Sequence, residues 1–381
     1  MKPDVLIVGG GPAGAGLAST LASQGARVLL LEAARFPRPK PCGECLNPGA
    51  VAAMQRLGLW EAAAELTAAE LDGWRLHAGP NHSATAAFPT GRTGRAVCRA
   101  RLDQALLRHA AARGAAVEEG VRVADLRRSP EGRVTGVTTS AGCRIDSPLV
   151  VGADGLRSVV TRRLGLLAQP GWGEPKVAFT AHWTGVSGLT RWGELHFHQS
   201  GQAVCGIAPI GGGQANVTLV LPAAAARSLH KGQAGLLLRW PDLRERFAVA
   251  RPTGRTLATG PFDQPVRAVT APGALLIGDA AGYYDPLTGQ GLYRAFRSAE
   301  LAAATILTNS PLSHYERALT TELRPATRRQ RWIDALVQRP ALLGPALTLL
   351  ERWPGAATWV VGLLGDCHHP EGAILPCRPK T

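Results

Sequence analysis

Apolar positions near the N-terminus alternate strand-like and helix-like runs. Asp4–Val8 (DVLIV) predicts a short buried strand, which Gly9, Gly10 and Gly11 interrupt. An Ala/Leu-rich stretch to about Ser23 predicts a helix that Gly25 stops, and Ala26–Leu31 (ARVLLL) predicts a second strand ending on Glu32. Strands apolar on both faces are what a parallel sheet covered by helices requires, so this region predicts a βαβ unit. Residues 33–50 carry Pro37, Pro39, Pro41 and Pro48 and predict a long loop.

Helical periodicity follows at about 49–58 and 101–113. Alternating runs near 117–126 and 133–139, the second after the turn Pro130-Glu131-Gly132, predict a hairpin or meander. Ser147–Gly152 and Leu275–Gly278 predict further buried strands. Between them, residues 175–262 are strand-like, with glycine turns at 211–213 and a helical interruption at 224–248. A loop at 279–291 precedes a predicted helix to about 307, and 313–364 predicts helices broken at Pro325, Pro340, Pro345 and Pro354. The fold class is α/β, with an inserted β-rich block and C-terminal helices.

Composition narrows the classes. A chain of 381 residues, 45% hydrophobic and 18% charged, can bury a sizeable core, which excludes wholesale disorder. The net charge is +14, and the cations are nearly all arginine. Such a balance allows an anionic partner, but no Lys/Arg block with interleaved aromatics concentrates it, so no nucleic acid is expected. Seven cysteines without a secretory pattern point to a reducing, cytoplasmic compartment rather than a disulfide scaffold. No uninterrupted apolar run is long enough to predict a transmembrane helix.

The chemistry begins at Gly9-x-Gly11-Pro12-Ala13-Gly14, between a predicted strand and a predicted helix, with Glu32 closing the next strand. The first glycine allows a tight turn, the second admits a pyrophosphate, and the third lets helix and strand approach. The helix N-terminus offers unpaired N–H groups to phosphates, and Glu32 can accept from a ribose diol. A dinucleotide is expected here.

Two later segments say which. Val150–Gly155, containing Asp154 and Gly155 and followed by Arg157 and Ser158, resembles the second fingerprint of flavoprotein hydroxylases. Ile277–Gly282, containing Gly278 and Asp279, resembles the third, whose Asp binds the ribityl chain of FAD. Asp279–Phe296 (DAAGYYDPLTGQGLYRAF) is similar to the geranylgeranyl-reductase family of the para-hydroxybenzoate hydroxylase superfamily, with Gln290 where Glu is usual. Arg99-x-x-x-Asp103 resembles a family segment whose Arg lies near the flavin. The resemblance implies FAD as cofactor in a Rossmann-like domain of the para-hydroxybenzoate hydroxylase type. It adds Arg99, Asp154, Gly155, Gly278, Asp279, Pro286, Gly289, Gly291 and Leu292 to the binding residues, and puts backbone N–H groups near the flavin pyrimidine. The expected domains are a discontinuous FAD-binding domain (1–75, 96–170, 265–320), a β-rich substrate domain (76–95, 171–264) and a C-terminal helical segment (321–381).

Family members carry a Cys-Gly pair beside the isoalloxazine, which here is Cys42-Gly43, and Cys42 is the expected catalytic residue. Cys42-x-x-Cys45 also admits a zinc or a dithiol reading, but no second CxxC supplies the zinc ligands and no metal is expected. Trp183, Trp192, His182, His196 and His198 either line a substrate pocket or belong to an ordinary sheet face. The apolar tail at 333–364, with Trp353 and Trp359, either lies peripherally on a membrane or caps the substrate domain.

The function expected from the resemblance is FAD-dependent reduction of C=C bonds in an apolar, isoprenoid-like small molecule, with electrons from NAD(P)H or a protein donor. The alternatives are hydroxylation of an aromatic or polyketide by an FAD monooxygenase, and an FAD-containing electron carrier. Halogenation is weaker still, since the chain lacks a W-x-W-x-I-P segment.

Overall fold

The βαβ unit forms where the pattern places it. Strand Val5–Val8 is buried throughout, helix Pro12–Ser23 follows, and strand Val28–Glu32 returns parallel to the first with Leu6 opposite Leu29. In the computed structural model, which describes residues 2–171, 174–226, 235, 237 and 240–367, these strands lie within a six-stranded sheet. Its order is Thr270–Ala271, Ala274–Leu276, Val150–Gly152, Val5–Val8, Val28–Glu32 and Ala116–Glu119. All neighbours are parallel except the edge strand Thr270–Ala271. The parallel strands therefore end at one edge, where ligands of such sheets bind.

Helix Pro12–Ser23 packs against Gly291–Leu307 and Arg99–Ala112, and Leu17, Leu21, Leu106 and Phe296 are sealed between them and the sheet. The alternating segment at 117–126 divides. Ala116–Glu119 joins the parallel sheet, while Val123–Arg128 pairs with Val134–Thr139 in a separate three-stranded antiparallel sheet.

The inserted block is an eight-stranded sheet. Its long central strands Lys176–Thr184, Gln214–Pro222, Val204–Gly211 and Trp192–Phe197 are antiparallel neighbours in that order, and Gly73–His77 extends them alongside Trp192–Phe197. Alternation gives the sheet two roles. Ala178, Thr180, Val204, Thr218 and Val220 face a cavity. Trp183, Cys205, Ile207, Val217 and Leu219 face a second core closed by Trp240, Leu243 and Phe247. Trp183 and His196 are thus remote from any substrate pocket, and His198 stands edge-on to Trp240 with ring centroids 5.1 Å apart. Of the predicted helical interruption, Ala223–Ala226 and Pro241–Arg244 are helical, and most of the stretch between lies outside the described residues.

The C-terminal helices are Leu312–Val337, Pro340–Arg352 and Pro354–Leu364. Pro340 and Pro354 open helices, where a missing N–H is harmless. Pro325 and Pro345 do not break theirs, contrary to the sequence expectation. Around Pro325 both halves of the helix are held by packing: Tyr315 and Leu319 bury on one side of it, and Ala326, Gln330 and Val337 on the other. That burial outweighs a proline cost of ~3 kcal/mol.

Candidate active site

A cavity of about 470 Å³ lies between the carboxyl edge of the parallel sheet and the inner face of the eight-stranded sheet. It brings together Cys42 and every cofactor-binding residue expected from the sequence except Gly14, but none of Trp183, Trp192, His182, His196 and His198. Gly14 acts from beneath: a Cβ there would stand 1.9 Å from the Gly9 carbonyl oxygen, so only glycine lets the helix sit against the strand. Gly9, at φ +109°, would put a Cβ 2.4 Å from the Ala153 carbonyl oxygen. Around Gly11 the space stays clear, with the Arg38 guanidinium nearest at 3.7 Å. This is a cradle for a phosphate group, and it fits the pyrophosphate of FAD.

Glu32 is fixed at the cradle. Its Oε2 accepts from the Gly10 N–H at 2.7 Å and its Oε1 from the Ala34 N–H at 2.8 Å. Asp154 is spent on its own chain, accepting from the Ser158 hydroxyl and the Val159 N–H, both at 2.6 Å. Burial raises its pKa even so. The Asp279 carboxylate makes no hydrogen bond among the described residues and faces the cavity near Lys40, free to accept from a hydroxyl. Burial lowers the pKa of Lys40, and the Asp279 carboxylate opposes that shift.

The Asp285–Gly291 loop presents Pro286, Gly289, Gly291 and Leu292 to the cavity, ahead of the long helix Gly291–Leu307. Gln290 turns away and is buried. Its Nε2 donates to Asp366 Oδ1 at 2.7 Å, and its Oε1 accepts from the Thr288 hydroxyl and from Gln330 Nε2. Asn47 donates to the other Asp366 oxygen at 2.9 Å, while burial pushes the Asp366 carboxyl up to about 7. The departure from the family's Glu is thereby explained: a carboxylate at 290 would face a second carboxylate in a buried site.

The opposite wall is made of side chains from three segments. Arg99 grips Asp103 with two hydrogen bonds, 2.8 and 3.0 Å, and its Nη1 donates to Cys42 Sγ at 3.2 Å. Burial works against the Arg99 charge, but Asp103 and Cys42 outweigh it and raise its pKa. The Cys42 carbonyl accepts from Asn216 Nδ2 at 3.0 Å and from the Thr180 hydroxyl at 3.3 Å, which ties the loop to the eight-stranded sheet. Cys42 and Cys45 are free thiols. Cys45 is buried, its thiol pushed well up by burial, which leaves little thiolate for a dithiol relay.

Sequence reasoning missed Glu44, Asn216 and Trp74. Glu44 is 3% exposed and left-handed at φ +62°; Oε1 accepts from the Arg99 N–H and Oε2 pairs with His182 Nε2, both at 2.7 Å. That carboxylate raises the His182 pKa, against burial. Trp74 reaches the cavity across Gly193, where a Cβ would stand 2.6 Å from its ring. No local pattern marks these residues, because their partners are distant in the chain.

A glycine cradle, a free carboxylate at the next strand end and an apolar pocket facing both define the FAD-dependent oxidoreductases of the para-hydroxybenzoate hydroxylase type. The comparisons agree: residues 2–307 match the FAD binding domain family. A menaquinone reductase of Mycolicibacterium smegmatis is 31% identical over 85% of this chain and 80% of its own length. Digeranylgeranylglycerophospholipid reductase 2 of Methanopyrus kandleri is 30% identical over 79% of this chain and 76% of its own. The chain belongs to the FAD binding domain family and, within it, to the geranylgeranyl-reductase family. The fold is shared with the flavin-dependent brominase Bmp2, at a TM-score of 0.84 and 22% identity over 96% of this chain and 94% of that one.

Proposed function

We propose that the protein reduces carbon–carbon double bonds of an isoprenoid-like substrate. The observation that carries the reading is the apolar wall of Trp74, Leu195, Val204, Ala208, Val220 and Leu287, which runs on from the FAD cradle as one cavity. Two relatives carry reductase names, for menaquinone and for digeranylgeranylglycerophospholipid, which supports an isoprenoid chain in that space. Bound FAD supplies the hydride, with electrons from NAD(P)H or a protein donor. Cys42 stands where cradle and apolar wall meet, and Arg99, Asn216 and Thr180 hold it there. The experiment is anaerobic mixing of the reduced holoprotein with a polyprenyl quinone or a geranylgeranyl lipid, followed by mass spectrometry. Products that gain two hydrogens per double bond support the reading. A hydroxylated product under air, with no reduction anaerobically, would replace it with monooxygenation.

The same reading places the protein peripherally at a membrane, where such substrates reside. No described helix is long and apolar enough to cross one. Yet the C-terminal helices and the turn between them expose Trp332, Leu342, Leu349, Trp353 and Trp359, each more than half accessible, and the first of these helices also exposes Arg324, Arg328 and Arg331. Apolar and cationic side chains together suit an anionic lipid surface. Co-sedimentation with anionic but not neutral vesicles, weakened by Trp353→Ser and Trp359→Ser together, is the expected result. Equal binding by the double variant would refute this placement.

A further inference from the structure

We propose that Glu44 and His182 form a proton relay that serves the cavity beside Cys42, a role that rests on the reductive reading above. Reducing a double bond takes two hydrogens of different kinds. One arrives as hydride from bound reduced FAD and carries both electrons. The other arrives as a proton, and a pocket walled by apolar side chains has to provide it from a protein group.

Most acids around the cavity are committed elsewhere. Glu32 is held by the Gly10 and Ala34 N–H groups at the cradle, and Asp154 caps its own helix. Glu44 differs, because one of its oxygens accepts from the Arg99 N–H while the hydrogen bond of the other leads outward. It lines the cavity, is 3% exposed itself, and meets His182 at 2.7 Å; the His182 side chain is 29% exposed. Strand alternation puts His182 on the face that carries Ala178 and Thr180 into the cavity. The relay therefore spans the wall from solvent to pocket in two side chains.

The backbone is bent to place it. Left-handed geometry at a non-glycine residue is uncommon and is kept where the surroundings enforce it. Here the Glu44 N–H donates to Cys42 Sγ at 3.3 Å, and the Glu44 carbonyl accepts from the Val97 N–H at 3.0 Å. Cys98 offers a third donor atom within 4.8 Å of both partners, which raises a metal reading. The 2.7 Å separation opposes it: two ligands on one tetrahedral ion with bonds of ~2.0–2.1 Å stand roughly 3.3 Å apart. That distance suits a shared proton.

In the reaction the substrate gains the hydride at one alkene carbon and the relay proton, from the Glu44 carboxyl, at the other. Two C–H bonds form, the π bond is lost, FAD is left oxidised by two electrons, and the pair recovers its proton from water at His182.

The test uses Glu44→Gln and His182→Asn in the FAD-loaded protein. Both should keep wild-type flavin content and reduction by dithionite. Reoxidation of the flavin by a geranylgeranyl lipid under anaerobic conditions should slow by roughly 100-fold, the lower end for a general acid. Added imidazole should partly restore the rate of His182→Ala, which a structural clasp would not allow. Independently of turnover, a ¹⁵N NMR pH titration of the His182 ring should place its protonation at higher pH in the wild type than in Glu44→Gln, since the Glu44 carboxylate raises it. Wild-type rates in both variants, or an unchanged His182 ring, overturn the relay. No reoxidation by the lipid in the wild type itself would instead remove the reductive reading.

Discussion

Gly9, Gly11 and Gly14 shape one end of the cavity by what they lack, whereas Cys42, Glu44, Arg99 and His182 shape the other by what they carry. At the cradle, backbone meets backbone, and an added Cβ would fall within 1.9 Å of the Gly9 oxygen at Gly14 and 2.4 Å of the Ala153 oxygen at Gly9. At the other end, residues 42–44, 99–103 and 180–216 meet through side chains, the Cys42 carbonyl and the Arg99 N–H. The first kind of site has no partly working form, since backbone cannot yield. The second can lose one contact at a time. Binding of the cofactor and handling of the substrate should therefore fail in different ways.

Gly14→Val gives the largest effect. Overpacking against flexible neighbours costs ~1–3 kcal/mol, and a backbone oxygen yields less. The variant should be purified without flavin, as read from absorbance near the flavin maximum against protein content. A yellow, fully loaded Gly14→Val would break the comparison at its root.

Arg99→Met comes next. Asp103 is fully buried and, among the described residues, would keep only the Arg38 guanidinium at 3.5 Å. Removing one partner of a buried pair costs ~3–5 kcal/mol, less here because Arg38 remains. A clear fall in the urea midpoint with flavin still bound is expected. Loss of flavin at unchanged stability would instead make Arg99 a cofactor ligand.

The same contrast explains what could be read from the chain. The cradle was legible because Gly9, Gly11, Gly14 and Glu32 fall within one βαβ unit, where spacing and geometry coincide. Asp279 was legible because it follows a buried strand directly. Glu44 was not, since its meaning depends on His182, 138 residues away, and on a left-handed backbone that nothing local announces. Two-faced sheets hid a further distinction: alternation pairs His196 with Glu194 on the outer face, and only the topology says which face meets the cavity. Pro325 misled for a related reason, because packing far along the chain overrode a local rule.

Asp366 lies beneath the Gln290 loop, and it sharpens the comparison through pH. Its carboxyl is raised to about 7 by burial, so the folded chain keeps a proton that the unfolded chain releases in the ordinary carboxylate range. Folding stability contributed by this group is therefore present at low pH, falls as pH rises towards about 7, and levels off above it. The slope is roughly 1.4 kcal/mol per pH unit within that window, about 4 kcal/mol across the whole of it. Asp366→Asn should flatten that part of the pH dependence in urea unfolding and leave the remainder. Asn also tolerates the left-handed backbone at 366, φ +53°. An unchanged slope would mean that Asp366 ionises freely where it sits.

The smallest expected effect falls on the stitch between the two ends. Asn216 Nδ2 donates to the Cys42 carbonyl at 3.0 Å, and the Thr180 hydroxyl donates to the same oxygen at 3.3 Å. Asn216→Ala leaves that carbonyl one donor, so the cost should stay near ~1 kcal/mol, the usual worth of a hydrogen bond. Flavin content should be untouched, because the cradle shares no atom with this contact. Turnover should fall several-fold through poorer placement of Cys42, and Thr180→Val added to Asn216→Ala should lower it more than the two single effects combined, since the second change leaves the carbonyl without either donor. Additive losses would show that the loop holds its position without the sheet. Loss of flavin in Asn216→Ala would show that the two ends of the cavity are one mechanical unit, however differently they are built.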